Sequence, residues 1–284
     1  PIYLSTNYTF AGFGEKREFD YSRSGNPTRS TLAGALAALE GGAGAVFTGS
    51  GMGAINLVTA LLSSDDLLVA PHDCYGGTYR LFQHVAAKGS YRVLFVDQTD
   101  PVALANAFAQ KPKLVWVETP SNPLLRVVDI ATICQQSHAV GALVAVDNTF
   151  LSPLLQQPLA LGADIVIHST TKYLNGHSDV VGGAVIAKEP ELHEKLAWWG
   201  NCLGHTGGAF DAYLTLRGLR TLAPRMRAHQ ENADAVLAYL QQQPRVTKIY
   251  HPSLPEHPGH EIAKRQQQGF GAMLSFEVDF DIEQ

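Results

Sequence analysis

Short apolar runs alternate with longer amphipathic segments over the first two thirds of the chain. The runs are four or five residues long, are rich in Val, Ile and Leu, and lack a polar face, which is typical of strands buried on both sides of a sheet. We predict seven strands, at 45–48, 67–70, 92–96, 113–117, 143–146, 164–168 and 184–187. Helices are predicted between them, at 31–40, 52–62, 78–88, 101–109 and 129–140. This alternation indicates an α/β fold in which a mostly parallel seven-stranded sheet is flanked by helices.

The pattern changes after residue 192, where long helical segments dominate. We predict helices at 210–222 and 226–242, then a loop rich in Pro and His, and finally one strand at 272–278. One strand cannot bury a face of its own, so we expect this C-terminal α+β domain to be incomplete. The loop contains three histidines without the spacing of a known metal site, and we expect no metal and a surface position for His251, His257 and His260.

Composition and charge exclude several classes of function. The 284 residues are 45% hydrophobic, which excludes intrinsic disorder, and the formal net charge of −5 offers no field for nucleic acid or an anionic membrane. Glycines interrupt the longest uncharged run, between Glu40 and Asp65, so we expect no membrane helix. No pattern typical of a secretory signal is visible and the three cysteines are scattered, so we expect a cytoplasmic protein.

The first predicted strand ends in a glycine-rich turn. Ligands of an open parallel sheet bind beyond the carboxyl ends of its strands. The turn at 49–53 has the sequence GSGMG and opens a helix, which predicts an anion site, usually for phosphate; a plain tight turn is the alternative. The same letters match a dinucleotide-binding fingerprint with Asp73 as the ribose acid, so a nicotinamide-dependent oxidoreductase stays open.

Other strand ends carry further candidate groups. Tyr75 lies beside two glycines and could cover a planar ring, and Asn122 stands between two prolines. Asp147 follows four apolar residues, where a carboxylate needs a partner such as a protonated ring nitrogen. Lys172 follows the sixth strand, where desolvation would make its amine nucleophilic. Taken singly, each residue also fits an ordinary structural role.

Taken together, these groups match the needs of pyridoxal 5'-phosphate (PLP). Its phosphate needs donors, its aldehyde needs an amine, and its ring nitrogen needs an anion that makes the ring an electron sink. Ser169 and Thr171 add hydroxyl donors next to Lys172. A dinucleotide enzyme would explain the glycines but would leave Lys172 and Asp147 without a role.

The sequence resembles the Cys/Met-metabolism family of PLP-dependent enzymes. The resemblance lies in YSRSGNPT (21–28), SGMGA (50–54), DCYGGTYRLF (73–82), ETPSNPLL (118–125), VDNTF (146–150) and STTKYLNGHSDVVGG (169–183). It extends from residue 4 to residue 276. It implies an aspartate-aminotransferase-like fold, known as PLP fold type I, with an N-terminal arm (1–28), a PLP-binding large domain (29–225) and the start of a small C-terminal domain (226–284).

The resemblance also implies roles for single residues at the cofactor. Lys172 would hold PLP covalently and move protons, Asp147 would pair with the ring nitrogen, and Tyr75 would stack on the ring. Asn122 would lie near the ring hydroxyl. The phosphate would be bound by Gly51, Met52, Ser169 and Thr171.

Four further residues are implied at the subunit boundary and at the substrate. Tyr21 and Arg23 would reach the phosphate of a neighbouring subunit, in a homotetramer built from two dimers. Arg80 and Asn201 would face the substrate. We therefore expect small amino-acid substrates and copies of the same chain as partners, with neither nucleic acid nor a membrane.

The implied activity is that of a transferase in methionine biosynthesis. O-succinyl-L-homoserine and L-cysteine would give L-cystathionine and succinate by replacement at Cγ. Elimination reactions on cystathionine or methionine occur in the same family and stay open. Gly77 stands where methionine γ-lyases resemble one another in carrying cysteine, which counts against that activity.

Overall fold

The computed structural model describes residues 1–280, and its main feature is a seven-stranded sheet. The strand order is β1-β7-β6-β5-β4-β2-β3, and only β7 runs antiparallel to its neighbours in this sheet. The mostly parallel α/β fold predicted from the apolar runs is therefore confirmed. The strands are β1 (Gly44–Thr48), β2 (Leu67–Pro71), β3 (Arg92–Val96), β4 (Leu114–Glu118), β5 (Leu143–Asp147), β6 (Ile165–His168) and β7 (Gly183–Ala187).

Ten helices lie within residues 1–280, and several begin at a side chain that caps them. Asn26 accepts the backbone N–H groups of Thr28 and Arg29, so the first helix begins four residues before its predicted start. None of the ten is both long and apolar enough to cross a bilayer. They are α1 (Pro27–Glu40), α2 (Gly51–Thr59), α3 (Gly76–Ala87), α4 (Pro101–Phe108), α5 (Ile130–Ala139), α6 (Ser152–Leu155), α7 (Pro190–Leu203), α8 (Ala209–Leu219), α9 (Leu222–Leu240) and α10 (His260–Gln266).

Both faces of the sheet are buried. Successive residues of β4 point to opposite faces, so Val115 and Val117 belong to one apolar cluster while Leu114 and Trp116 belong to the other. Trp116 packs edge-on against Phe82 of α3, with ring centroids 5.3 Å apart. Burial on two sides explains why these strands have no polar face.

The orientation of the strands brings six carboxyl ends to one edge of the sheet, and five of these ends carry candidate side chains. Because β7 is antiparallel to both β1 and β6, β1 runs in the same direction as β6. The strands β6, β5, β4 and β2 pair in parallel. The segments that follow β1, β2, β4, β5 and β6 therefore leave the sheet at the same edge, as the sequence analysis required.

A second, two-stranded sheet follows α9. It pairs β8 (Val246–Tyr250) with β9 (Ser275–Val278) in antiparallel order. Only the later strand was predicted from the sequence. Strand β8 was missed because half-exposed positions and Lys248 interrupt the apolar pattern there. The proposed C-terminal domain includes residues 281–284, which lie outside the described residues.

The histidine-rich loop differs from expectation. His251 and His257 are buried, with 1% and 8% of their surfaces exposed, whereas we expected them at the surface. Each has a local partner: Ser253 Oγ lies 2.7 Å from His251 Nδ1, and Gly259 N–H donates to His257 Nδ1 at 3.0 Å. Burial lowers the pKa of both imidazoles, so they are held neutral and need no counter-charge. Within residues 1–280, no three His, Cys, Asp or Glu side chains are grouped to hold a metal ion.

Candidate active site

The N-terminus of α2 meets the turn that follows β6. Ser50 caps the helix by accepting the N–H of Gly53 at 3.0 Å, and the first N–H groups of a helix have no acceptor within it. A Cβ at Gly51 would lie 2.9 Å from Ser169 Cβ, so only glycine permits this close approach. The Ser169 hydroxyl therefore lies beside the N–H groups of Gly51 and Met52. Such an arrangement binds anions.

We expect Gly51→Ala to weaken phosphate binding at this turn. The added Cβ would push Ser169 away, since side chains do not approach one another at 2.9 Å. A shift of this kind should raise the Kd for PLP about tenfold, or about 1.4 kcal/mol. Fluorescence titration of the apoprotein measures the Kd. Gly34→Ala, at a glycine with open space around it, is the matched control, and equal Kd values for both variants would contradict the role of Gly51.

Asp147, the last residue of β5, has the properties of a ring-nitrogen partner. Its Oδ1 accepts the backbone N–H of Thr149 at 3.0 Å and the Thr149 hydroxyl at 2.5 Å. Burial raises its pKa, while the two hydrogen bonds from Thr149 oppose the rise. No lysine or arginine forms an ion pair with it within residues 1–280. A cationic ring nitrogen would supply the missing charge.

Thr149 also joins the two ends of the site. Its Oγ1 accepts the backbone N–H of Ser169 at 2.9 Å while its hydroxyl donates to Asp147. The candidate phosphate turn and the candidate ring-nitrogen acid are thus connected through one side chain.

The ring of Tyr75 lies near the side chain of Met52, which belongs to α2. A Cβ at Gly77 would lie 2.5 Å from Tyr75 Cε1 and 2.9 Å from Met52 Sδ, which shows how closely the tyrosine ring and Met52 pack at this glycine. The ring is 50% exposed. It therefore presents an aromatic face beside the anion-binding turn. A cysteine at position 77 would displace this ring.

Lys172 and Thr171, the two remaining candidate residues after β6, differ in whether their side chains already have partners. Lys172 is exposed, whereas we expected it to be desolvated at the end of β6. Its backbone N–H donates to the Ser169 carbonyl at 3.2 Å, and its amine forms no ion pair in the part of the chain described. Thr171 is held by Gly182, since its hydroxyl lies 3.2 Å from the carbonyl oxygen and 3.1 Å from the amide nitrogen of that residue. Lys172 is thus available for a ligand, whereas the Thr171 hydroxyl already has partners.

The other predicted residues are Tyr21, Arg23, Arg80, Asn122 and Asn201. Arg23 Nη1 donates to the carbonyl oxygen of Asn201 at 2.8 Å and to its Oδ1 at 2.6 Å, and the guanidinium lies 5.5 Å from the centroid of the Tyr21 ring. These three residues form a separate group within the same chain. Arg80 is exposed on α3, and Asn122 is exposed in a loop with two cis proline peptides. Their roles toward substrate, ring and neighbouring subunit stay predictions.

Four residues at or near the site were not predicted from the sequence. Glu118, the last residue of β4, accepts the Tyr75 N–H at 2.8 Å, and it follows an apolar run just as Asp147 does, so the same signal could have identified it. No pattern in the sequence indicated that Thr149 belongs to the site. The buried contact between Glu40 and His168, with Oε1 and Nε2 2.5 Å apart, joins residues 128 positions apart and could not be seen in the sequence.

These residues fit PLP. The turn at Gly51 offers anion donors, Asp147 lacks a cationic partner among residues 1–280, Lys172 offers a free amine, and Tyr75 offers an aromatic face. A cleft of about 960 Å³ lies elsewhere, beside α5, β8 and the loop before α10. None of the predicted site residues lines that cleft. The candidate site is therefore the sheet edge.

Known proteins share both the sequence and the fold. Cystathionine gamma-synthase of Escherichia coli K12 is 68% identical over 282 residues, which are 99% of this chain and 73% of that protein. Cystathionine gamma-lyase of Dictyostelium discoideum is 47% identical over 285 residues, covering 100% of this chain and 74% of that protein. A cystathionine gamma synthase from Xanthomonas oryzae pv. oryzae, solved with aminoacrylate and cysteine, superposes with a TM-score of 0.98 at 60% identity, over 100% of this chain and 73% of that one.

A family profile gives the same result along the whole sequence. The profile described as Cys/Met metabolism PLP-dependent enzyme matches residues 1–284. Five of the six motifs quoted from the sequence follow β1, β2, β4, β5 and β6 at the sheet edge where the structure gathers the candidate side chains, while YSRSGNPT (21–28) lies at the start of α1. This chain therefore belongs to the Cys/Met-metabolism family of PLP-dependent enzymes.

Proposed function

We propose that the chain is a cystathionine γ-synthase that joins O-succinyl-L-homoserine and L-cysteine into L-cystathionine and succinate. The observation that carries the proposal is its similarity to the E. coli synthase, which exceeds its similarity to the Dictyostelium lyase by a wide margin. Gly77 adds support against one alternative, because methionine γ-lyases resemble one another in carrying cysteine at this position.

The residues of the sheet edge would hold the cofactor in one orientation. When bound, PLP supplies an electron-poor ring that accepts the negative charge developing at the substrate Cα. Asp147 would keep the proton on the ring nitrogen, and Tyr75 would cover one face of the ring. Lys172 would attach the cofactor through Nζ. The phosphate would be bound by Gly51, Met52 and Ser169, and by Thr171 once its hydroxyl leaves the Gly182 carbonyl oxygen.

Lys172 would also move the protons of the reaction. Its free Nζ takes the proton from Cα of the homoserine substrate and returns a proton to the product. The Cγ–O bond to succinate breaks, the Cγ–S bond to cysteine forms, and the thiol proton is released with the departing succinate. Exposure of the lysine in this chain leaves its amine accessible to the substrate.

A product assay tests this proposal. Purified protein loaded with PLP is given O-succinylhomoserine with and without cysteine, and the products are separated by chromatography. We expect cystathionine and succinate when cysteine is present. Release of 2-oxobutyrate at the same rate with or without cysteine would instead identify an eliminating enzyme. O-acetyl- and O-phosphohomoserine, tested in parallel, establish the preferred leaving group.

Assembly and location complete the proposal. We infer a cytoplasmic homotetramer with an arm at 1–28, a large domain at 29–225 and the start of a small domain at 226–284. Tyr21 and Arg23 are exposed on the arm, where a second copy of the chain could be reached. Sedimentation velocity of the purified protein measures its mass, and a monomer at assay concentration would contradict the shared site.

A further inference from the structure

Two carboxyl groups lie side by side at the candidate active site. Glu118 and Asp147 are the last residues of β4 and β5 and are register partners in the parallel ladder. Neighbouring strands are about 4.8 Å apart, and the side chains of partners leave on the same face of the sheet. Both side chains are partly buried. The carboxyl groups of Glu118 and Asp147 therefore interact electrostatically in an environment with little water.

Only some of the acidic side chains at this edge of the sheet have a positively charged partner. Asp73, which follows β2, accepts the Ser121 hydroxyl at 2.6 Å and lies 3.5 Å from Arg126 Nη1. Asp147 would have the ring nitrogen of PLP. Glu118 forms no ion pair within residues 1–280, and its Oε2 accepts only the Tyr75 N–H, at 2.8 Å, among these residues. The local charges therefore balance when Glu118 carries a proton.

The pKa of Glu118 is shifted in the direction that favours the protonated form. Burial raises its pKa well above the ordinary value, and the negative charges of Asp147 and Asp73 raise it further, while the hydrogen bond from Tyr75 opposes the rise. Two carboxylates that share a poorly hydrated site do not both ionise readily. The ionisable groups around Glu118 are Asp147 on β5 and, after β2, Asp73 and Cys74, with Arg126 and His72 beyond Asp73.

We propose that Glu118 is a positioning residue that works as a neutral carboxyl group, holding the backbone of Tyr75 while the negative charge of the site stays on Asp147. It acts on the cofactor through the Tyr75 ring. The inference depends on PLP binding and not on the choice of homoserine ester. Its failure is therefore distinguishable from failure of the product assay.

Two substitutions separate the hydrogen bond from the charge. Glu118→Gln keeps a carbonyl oxygen for the Tyr75 N–H, so we expect the Kd for PLP and the visible spectrum at neutral pH to match the wild type. Glu118→Ala leaves that N–H without its partner, and we expect the Kd to rise about tenfold. Glu189→Gln, an exposed residue before α7, is the control for loss of a negative charge.

The stability of the apoprotein provides a second, independent measurement. The folded-state pKa of Glu118 is raised, so its contribution to the free energy of unfolding is complete below the ordinary pKa and is lost as the pH rises through the raised pKa. Between about pH 5 and pH 8, wild type should therefore lose stability relative to Glu118→Gln, measured by urea unfolding. In the wild-type holoenzyme, infrared spectra should contain the carbonyl band of a protonated carboxyl group that Glu118→Gln lacks.

Several outcomes would overturn the inference. If Glu118→Gln weakens PLP binding as much as Glu118→Ala does, PLP binding requires the negative charge of Glu118 and not only its hydrogen bond to Tyr75. An unchanged Kd in Glu118→Ala would mean that the contact with Tyr75 does not position the ring. A difference in the free energy of unfolding between wild type and Glu118→Gln that does not change with pH would show that Glu118 is ionised. Absence of the infrared band would show the same. If Glu118→Ala does not fold, the Glu118→Gln measurements still decide.

Discussion

Lys172→Ala is expected to abolish turnover and the covalent attachment of PLP. The general base at the substrate Cα is lost, which by itself costs about 10²- to 10⁴-fold in rate, and the attachment point of the cofactor is lost as well. Steady-state assays measure the first effect. Borohydride reduction followed by peptide mapping measures the second, because only an amine joined to the cofactor is labelled.

The matched control is Lys195→Ala, an exposed lysine on α7 outside the site. It should keep the activity and the labelled peptide of the wild type. If added methylamine partly restores the activity of Lys172→Ala, the activity was lost because the amine is missing and not because the variant is misfolded. Labelling of any other lysine in the wild type would remove the basis of the proposed mechanism.

Asp147→Asn should lower kcat/KM by about 10²- to 10³-fold, because the ring nitrogen loses its counter-charge in a desolvated site. The asparagine carbonyl can still accept the two hydrogen bonds from Thr149, so the local backbone should be preserved. Steady-state kinetics of the PLP-loaded variant measure this loss. Asp100→Asn is the control, because either residue caps α4 through its side-chain oxygen.

The apoprotein should respond in the opposite direction. Burial raises the pKa of Asp147 in the folded state, so its contribution to stability is complete at low pH and is lost as the pH rises above its ordinary pKa. Without PLP, Asp147→Asn should therefore be at least as stable as wild type at neutral pH in thermal unfolding. A variant that loses both activity and apoprotein stability would indicate a structural role instead.

The sheet could be predicted because its strands are buried on both faces. The prediction at 92–96 matches β3, five others differ from the structure by one residue at one end, and the prediction at 113–117 is shifted by one residue from β4. In contrast, β8 was missed, since its half-exposed residues carry no continuous apolar signal. Burial of His251 was also missed, because the contact of its Nδ1 with Ser253 depends on how the loop closes.

The candidate site was predictable only as a set of strand ends. The order of motifs and the rule for parallel sheets place Gly51, Tyr75, Asp147 and Lys172 at one edge. The interactions among them were not predictable, because they depend on distances between chain segments. Examples are the bridge from Asp147 through Thr149 to Ser169, and the hydrogen bond from Tyr75 to Glu118. Neither spacing nor composition encodes these contacts.

The reversed strand β7 has a consequence for how the protein is made. Strand β1 pairs only with β7, so the segment at 44–48 has no sheet partner until 183–187 has left the ribosome. The nascent chain must carry an unpaired, apolar strand while five others are synthesised. The candidate phosphate turn, which follows β1, then forms among the last parts of the sheet, and the unpaired edge stays open to aggregation until that late pairing is made.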